Sequence, residues 1–168
     1  MAEATEISVV IPVYNNAAAL RELTARLLET LRQCAHCYEI VYVNDGSQDQ
    51  SIAILKALAA QEPAVKVINL SRNFGQHPAL CAGFEHASGG IIVLMDADLQ
   101  DRPEDIVDLV KKLRGEDADV AYTIKQSTDR KLSTRLTSAL YHYVFARIVG
   151  TDVPIDIGTF RAFNRKFL

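Results

Sequence analysis

Long hydrophobic runs are missing from this chain of 168 residues. Its longest uninterrupted apolar stretches, Val9-Val10-Ile11 with their neighbours and Ile91 to Met95, fall far short of the roughly 18–20 residues that span a bilayer. No segment is expected to cross a membrane by itself. A secretory signal is not expected either, because Met1-Ala2-Glu3-Ala4-Thr5-Glu6 carries acids where a basic region belongs and leads straight into a strand-like run. Cytoplasmic residence is the resulting expectation. Low-complexity tracts are absent, and 49% apolar with 23% charged residues is an ordinary globular composition, which excludes collagen, coiled coil and a disordered chain. Cysteine is scarce: three residues, an odd number, do not build a disulfide framework. Cys34 and Cys37 form a C-x-x-C, yet a zinc site needs a second ligand pair, for which only His77, Cys81 and His86 are at hand. A thioredoxin-type motif opens a helix, whereas this one closes one, so small apolar packing is the preferred reading. Neither G-x-x-x-x-G-K-[ST] nor G-x-G-x-x-G occurs, which removes the P-loop and the dinucleotide fingerprint.

Charge is unevenly placed. Residues 1–110 hold 7 Lys/Arg against 15 Asp/Glu, net −8, while residues 111–168 hold 11 against 6, net +5. An acidic part suits a bound metal and a basic part suits an anion or an anionic surface, although a solvated basic helix gives the same count.

Strand and helix patterns alternate along the chain. Ile7 to Tyr14 is β-branched and almost continuously apolar, as a strand buried on both faces is. Asn15-Asn16 is expected to cap a helix from Ala17 to about Gln33, whose Leu20, Leu23, Leu27, Leu28 and Leu31 recur at helical spacing. Further strands are expected at 38–43, 65–70, 91–95 and 120–124, with helices at about 51–60, 77–87 and from Pro103 to about Arg114. Short connections between such units define an α/β domain with a mostly parallel sheet. Ligands in such sheets bind beyond the carboxyl ends of the strands. There the sequence places Tyr14-Asn15-Asn16, Asn44-Asp45-Gly46-Ser47, Arg72-Asn73 and Asp96-Ala97-Asp98-Leu99-Gln100. Each alone is ordinary turn chemistry; four at one sheet edge point to a site.

Asp96 and Asp98 stand at i and i+2 where an apolar strand ends. Two carboxylates so close repel unless one is protonated or a cation intervenes. Gln100 adds an amide oxygen, and a set of hard oxygens suits Mg2+ or Mn2+ completed by substrate phosphates. The alternative is that the pair caps the helix opened by Pro103, for which Asp101 is better placed.

Pro12-Val13-Tyr14-Asn15, Asn44-Asp45-Gly46-Ser47-x-Asp49, Arg72-Asn73-Phe74-Gly75, Asp96-Ala97-Asp98-Leu99-Gln100 with Pro103-Glu104, and Gly158-Thr159-Phe160-Arg161 together resemble the motif set of glycosyltransferase family 2. Within it the chain is most similar to the polyprenyl-phosphate branch, which includes dolichyl-phosphate mannose and glucose synthases and undecaprenyl-phosphate glucosyl and aminoarabinose transferases. The resemblance implies a Rossmann-like GT-A fold, a UDP- or GDP-sugar donor, and a polyprenyl phosphate acceptor at the cytoplasmic membrane face. By matching position it implies that Pro12, Tyr14, Asn16 and Asp45 line the nucleotide pocket. Asp96, Asp98 and Gln100 would hold the Mg2+ or Mn2+, and Asp98 and Asp156 would be catalytic. Lys125, Arg135 and Arg161 are the implied acceptor or phosphate contacts, guanidinium being suited to bidentate phosphate binding. Relatives often carry Glu where this chain has Asn16 and Arg where it has Lys125.

The expected division is a nucleotide-sugar and metal-binding core at 1–125 and an acceptor-side segment at 126–168. Leu132, Leu136, Leu140, Tyr143 and Val144 share a helical face with Lys131, Arg135, His142 and Arg147 nearby. That arrangement suits a core-facing helix or a helix in a lipid interface; the resemblance implies the second, so the expected membrane contact is 131–149. Relatives continue past the equivalent of Leu168 with further amphipathic and often transmembrane helices, so donor binding is expected here with weakened or lost lipid transfer. Two other functions stay open: transfer to a polysaccharide or glycan, and a non-catalytic nucleotide-sugar-binding module. No nucleic-acid partner is expected, since an acidic strand-end face repels phosphate. A homo-oligomer is left open.

Overall fold

A computed structural model describes residues 4–116, 118–124 and 157–168. Lys125, Arg135, Asp156 and the helix expected at 131–149 lie outside the described residues. The chain divides into two units, Met1–Ala121 with Thr159–Leu168, and Tyr122–Gly158; the side chains discussed below belong to the first.

The elements run β1 (Ile7–Val13), α1 (Leu20–Cys34), β2 (Tyr38–Asn44), α2 (Ser51–Gln61), β3 (Val65–Asn69), α3 (Gln76–His86), β4 (Ile91–Leu94), a 3-10 turn at Pro103–Asp105, α4 (Ile106–Gly115), β5 (Val120–Ile124) and β6 (Ile157–Asn164). Strand order is β3-β2-β1-β4-β6-β5. β1 is central because every residue but Pro12 is buried, and it pairs in parallel with both β2 and β4, Ile7 standing opposite Tyr38 and Ile91. Its side chains alternate between two cores, as strand geometry requires. Ile7, Val9 and Ile11 meet Leu20, Leu23, Leu27 and Leu31 of α1 with residues of α2 and α4. Val10 meets Ala79 on the other face, beside α3. The four α1 leucines are fully buried, each worth about 1.5–3 kcal/mol relative to exposure. Gly83 lets α3 come this close: a Cβ there would stand 2.4 Å from Val10 Cγ1. No helix among the described residues is long and apolar enough to cross a membrane.

Three details depart from the sequence reading. α1 starts at Leu20, not Ala17, and neither Asn15 nor Asn16 caps it; its first-residue flank Ala19 has no side-chain cap. The helix expected from Pro103 begins as a 3-10 turn and becomes α-helical only at Ile106. β6 was not anticipated, and it enters the sheet antiparallel between β4 and β5, with Leu94 opposite Arg161 and Ile91 opposite Asn164.

A buried polar knot ties the amino-terminal edge of the sheet. Glu39 is 3% exposed; its Oε1 accepts from Ser8 Oγ at 2.5 Å, Ser88 N at 2.6 Å and Ser88 Oγ at 2.8 Å, and its Oε2 pairs with Lys66. Burial alone would raise this carboxyl's pKa, but the Lys66 ammonium and the serine donors outweigh it and hold it at about 2. A carboxyl lowered on folding stabilises the fold in full above its unfolded pKa, and the contribution is lost as pH falls through the folded value. Moving from 4.5 to about 2 corresponds to about 3 kcal/mol. Glu39→Gln is therefore expected to be less stable than the parent by about that amount at pH 7, with the gap closing between about pH 4.5 and pH 2. Urea unfolding of both proteins across that range measures it.

Candidate active site

The carboxyl ends of β1, β2 and β4 and the start of α3 enclose a cleft of about 350 Å³. Pro12 enters it from the end of β1, Tyr14 and Asn16 from the loop that follows, Asp45 from just past β2, Asn73, Gly75 and Gln76 from the turn into α3, and Asp96 and Asp98 from the loop after β4. Six of the sequence-nominated residues, Asp96 among them, thus converge, while Gln100 and Arg161 do not line the cleft. Gln100 is exposed, its backbone N–H donating to Asp98 Oδ1 at 3.0 Å. Arg161 sits on β6, where its Nε donates to the Thr159 carbonyl at 3.3 Å.

Loop-to-loop hydrogen bonds fix the walls. Asn15 adopts a left-handed backbone, φ 55°. The N–H groups of Asn15, Asn16 and Ala17 then donate to Ser47 Oγ, Ser51 Oγ and Asp49 Oδ2 at 3.0–3.1 Å. Asn15 Oδ1 accepts from Gln48 N at 2.8 Å in return. The donors that would begin α1 are spent across 32 or more residues of sequence, which is why the local cap signal fails. Asp45 is 4% exposed, and its two oxygens accept from Phe74 N at 2.8 Å and Gly75 N at 2.9 Å. It lines the cleft while also holding the turn into α3.

Asp96 and Asp98 differ in their surroundings. Asp96 is half-buried and accepts from Thr159 Oγ1 at 2.7 Å and Gln76 Nε2 at 3.3 Å. Asp98 is exposed, with Gln100 N on Oδ1. Neither caps the turn opened by Pro103, whose flanking Arg102 has no side-chain cap. Leu99 between Asp98 and Gln100 has φ 62°, rare for a γ-branched residue outside a constrained site. Its side chain packs on the core, so this turn is held against local preference. Among the described residues no three His, Cys, Asp or Glu gather as a metal group. Two carboxylates facing one cleft nevertheless supply the hard, anionic oxygens that Mg2+ or Mn2+ takes in small number when phosphate oxygens complete its shell, so the donor set fits such an ion. Gln76 and Thr159 were missed from sequence; Gln76 follows a positive-φ glycine, and Thr159 lies inside the late Gly-x-Phe-Arg motif, but nothing local shows that both reach Asp96.

Solved structures share this architecture. Glucosyl-3-phosphoglycerate synthase from Mycobacterium tuberculosis, solved with Mn2+, UDP and phosphoglyceric acid, superposes with TM-score 0.75 at 20% identity, over 98% of this chain and 57% of its own. A mannosyltransferase from Pyrobaculum calidifontis, solved with GDP-Man and Mn2+, gives 0.68 at 22% identity over 99% of this chain and 46% of its own. The fold is therefore the GT-A fold of nucleotide-sugar transferases. Residues 8–168 match the profile of Glycosyl transferase family 2, and the chain belongs to that family. The undecaprenyl-phosphate 4-deoxy-4-formamido-L-arabinose transferase of Sodalis glossinidius is 40% identical over 170 residues, 97% of this chain and 50% of that protein. The chain spans about half the length of the curated relatives it matches.

Proposed function

We propose that this chain is the donor-binding part of a glycosyltransferase that moves a sugar from a UDP- or GDP-sugar to a polyprenyl phosphate at the cytoplasmic face of a membrane. The observation that carries the reading is the cleft that gathers Tyr14, Asp45, Asp96 and Asp98 at one sheet edge. The lipid acceptor is supported by likeness to a transferase named for undecaprenyl phosphate.

In the transfer, the bond from the sugar's anomeric carbon to the donor diphosphate breaks and a bond to an acceptor phosphate oxygen forms. That oxygen is ionised at neutral pH, so no strong base has to create the nucleophile. Orientation and charge compensation supply the rate. Tyr14, half exposed at 45%, offers a ring for the base, with Pro12 beside it. Asn16 and Asp45 border the same side of the cleft. Asp96 and Asp98 would hold the metal, with Gln100 adjacent. When bound, a divalent cation offsets the negative charge that grows on the leaving nucleoside diphosphate. On the acceptor side we assign phosphate contacts to Lys125, Arg135 and Arg161, and the orientation of the acceptor to Asp156, with 126–168 forming an acceptor segment that meets the membrane through 131–149.

Calorimetric titration of UDP and of GDP into the purified chain, with Mn2+ and with the metal chelated, tests the donor half. Binding of one nucleotide at least tenfold tighter with the metal is the expected result. Failure of both to bind in either condition leaves a folded module of another kind and removes the transferase reading.

A further inference from the structure

We infer that Thr159 and Gln76 are positioning residues for Asp96, forming a two-sided clamp that presets this carboxylate for the metal; the inference rests on the donor-site reading above. The two donors come from elements far apart in sequence. Thr159 lies on β6 and reaches Asp96 Oδ2 at 2.7 Å across 63 residues, while Gln76 opens α3 and reaches Oδ1 at 3.3 Å across 20. Each carboxylate oxygen thus receives one donor.

An ionised carboxylate offers about four lone-pair sites, so one donor on each oxygen fixes the rotamer and still leaves a site on each oxygen for a cation. A hydroxyl donating to a carboxylate at 2.7 Å lies at the short, charge-assisted end of the range. It holds the Asp96 carboxylate in one orientation before a cation arrives. Among the described residues Asp98 has no equivalent side-chain clamp: it is exposed, and its Oδ1 accepts from the backbone N–H of Gln100. The pair is therefore asymmetric, with Asp96 held in place by side chains and Asp98 carried on an exposed turn. Donors of this kind orient a metal's ligands, and losing one costs about 10–100-fold in metal affinity.

The antiparallel insertion of β6 acquires a purpose in this light. Its pairing with β4, Val93 opposite Ala162 and Leu94 opposite Arg161, brings residue 159 level with the end of β4, where Asp96 leaves the sheet. Phe160 and Ala162 are buried at 1% and 0% exposure and anchor the strand in the core, so the Thr159 hydroxyl is carried on a rigid element.

The test compares Thr159→Val with Thr159→Ser. Valine keeps shape and strand preference while removing the donor; serine keeps the donor. Mn2+ binding is followed directly by electron paramagnetic resonance of the free ion, and UDP binding by calorimetry with and without Mn2+, on the full 168-residue chain. Thr159→Val is expected to weaken Mn2+ binding in the presence of UDP by about tenfold or more, to leave metal-free UDP binding unchanged, and to be rescued by Thr159→Ser. Gln76→Leu, at an exposed position where the fold is not at stake, is expected to act in the same direction by a smaller factor, its bond being longer. Wild-type Mn2+ affinity in both Thr159→Val and Gln76→Leu, or a serine variant as weak as the valine one, overturns the inference while the donor site stands. Absence of Mn2+ binding by the parent chain with either UDP or GDP overturns the inference and the donor-site reading together.

Discussion

Replacing Asp98 by alanine is expected to lower metal-dependent nucleotide affinity by about 100-fold while moving the unfolding midpoint very little. The two halves of that result have separate causes. Asp98 is exposed and, among the described residues, its side chain bonds only within its own turn, to Gln100 N, and surface substitutions of that kind change stability by about 0.5 kcal/mol or less. Its carboxylate, however, faces the cleft, and a hard divalent cation that loses one of two anionic protein ligands loses much of its reason to bind there. Asp96→Ala gives a different signature. It removes the acceptor of Thr159 and Gln76 and so costs stability as well, about 1–3 kcal/mol for the half-buried Thr159 hydroxyl left unpaired, while the exposed Gln76 amide turns to water. Calorimetry with and without chelator, paired with thermal unfolding of both variants, separates the two. An Asp98→Ala protein that still binds nucleotide tighter with Mn2+ than without it removes Asp98 from the metal site.

How much of this was readable beforehand depended on whether the deciding interaction was local. β1, β2 and β4 declared themselves, because strands buried on both faces must be continuously apolar, and Val9-Val10-Ile11, Ile40-Val41 and Ile91 to Leu94 are. The carboxyl-edge rule then predicted the cleft, and Tyr14, Asp45, Asp96 and Asp98 do line it. β6 was read as a motif and not as a strand, since Gly158, Arg161 and Asn164 interrupt its apolar pattern and its antiparallel place comes from pairing with β4 seventy residues earlier in the chain, Ile91 opposite Asn164. The start of α1 failed for a related reason: Asn15 and Asn16 are good local caps, but Ser47 of the loop after β2 and Ser51 at the start of α2 take their backbone donors. Asp45 carried both a site position and a structural duty, and only the site position was visible, because Phe74 and Gly75 are distant in sequence.

That duty of Asp45 depends on its neighbour, and Gly46→Ala is expected to be among the most damaging single-methyl additions in the chain, costing about 3 kcal/mol and most of the nucleotide affinity. Two penalties combine. Gly46 has φ +64°, a left-handed backbone that costs an L side chain about 1–2 kcal/mol. Its added Cβ would also stand 2.4 Å from the Arg72 carbonyl carbon and 2.5 Å from Asn73 N. Those are backbone atoms, which cannot turn aside as a side-chain tip does, so the loop after β3 must move, at about 1–3 kcal/mol for an overpacked contact. Movement there draws Phe74 N and Gly75 N away from a buried Asp45 carboxylate that accepts from both, and displaces Asn73, Gly75 and Gln76 from the cleft wall. The matched control is Gly115→Ala at the end of α4, where an added Cβ meets nothing within 4 Å and alanine is the better helix former by about 0.5–1 kcal/mol. Denaturant unfolding with UDP and Mn2+ titration of the two variants is decisive. A Gly46→Ala chain as stable as Gly115→Ala and binding nucleotide normally would show that the loops after β2 and β3 are not locked together, and that the site does not depend on their contact.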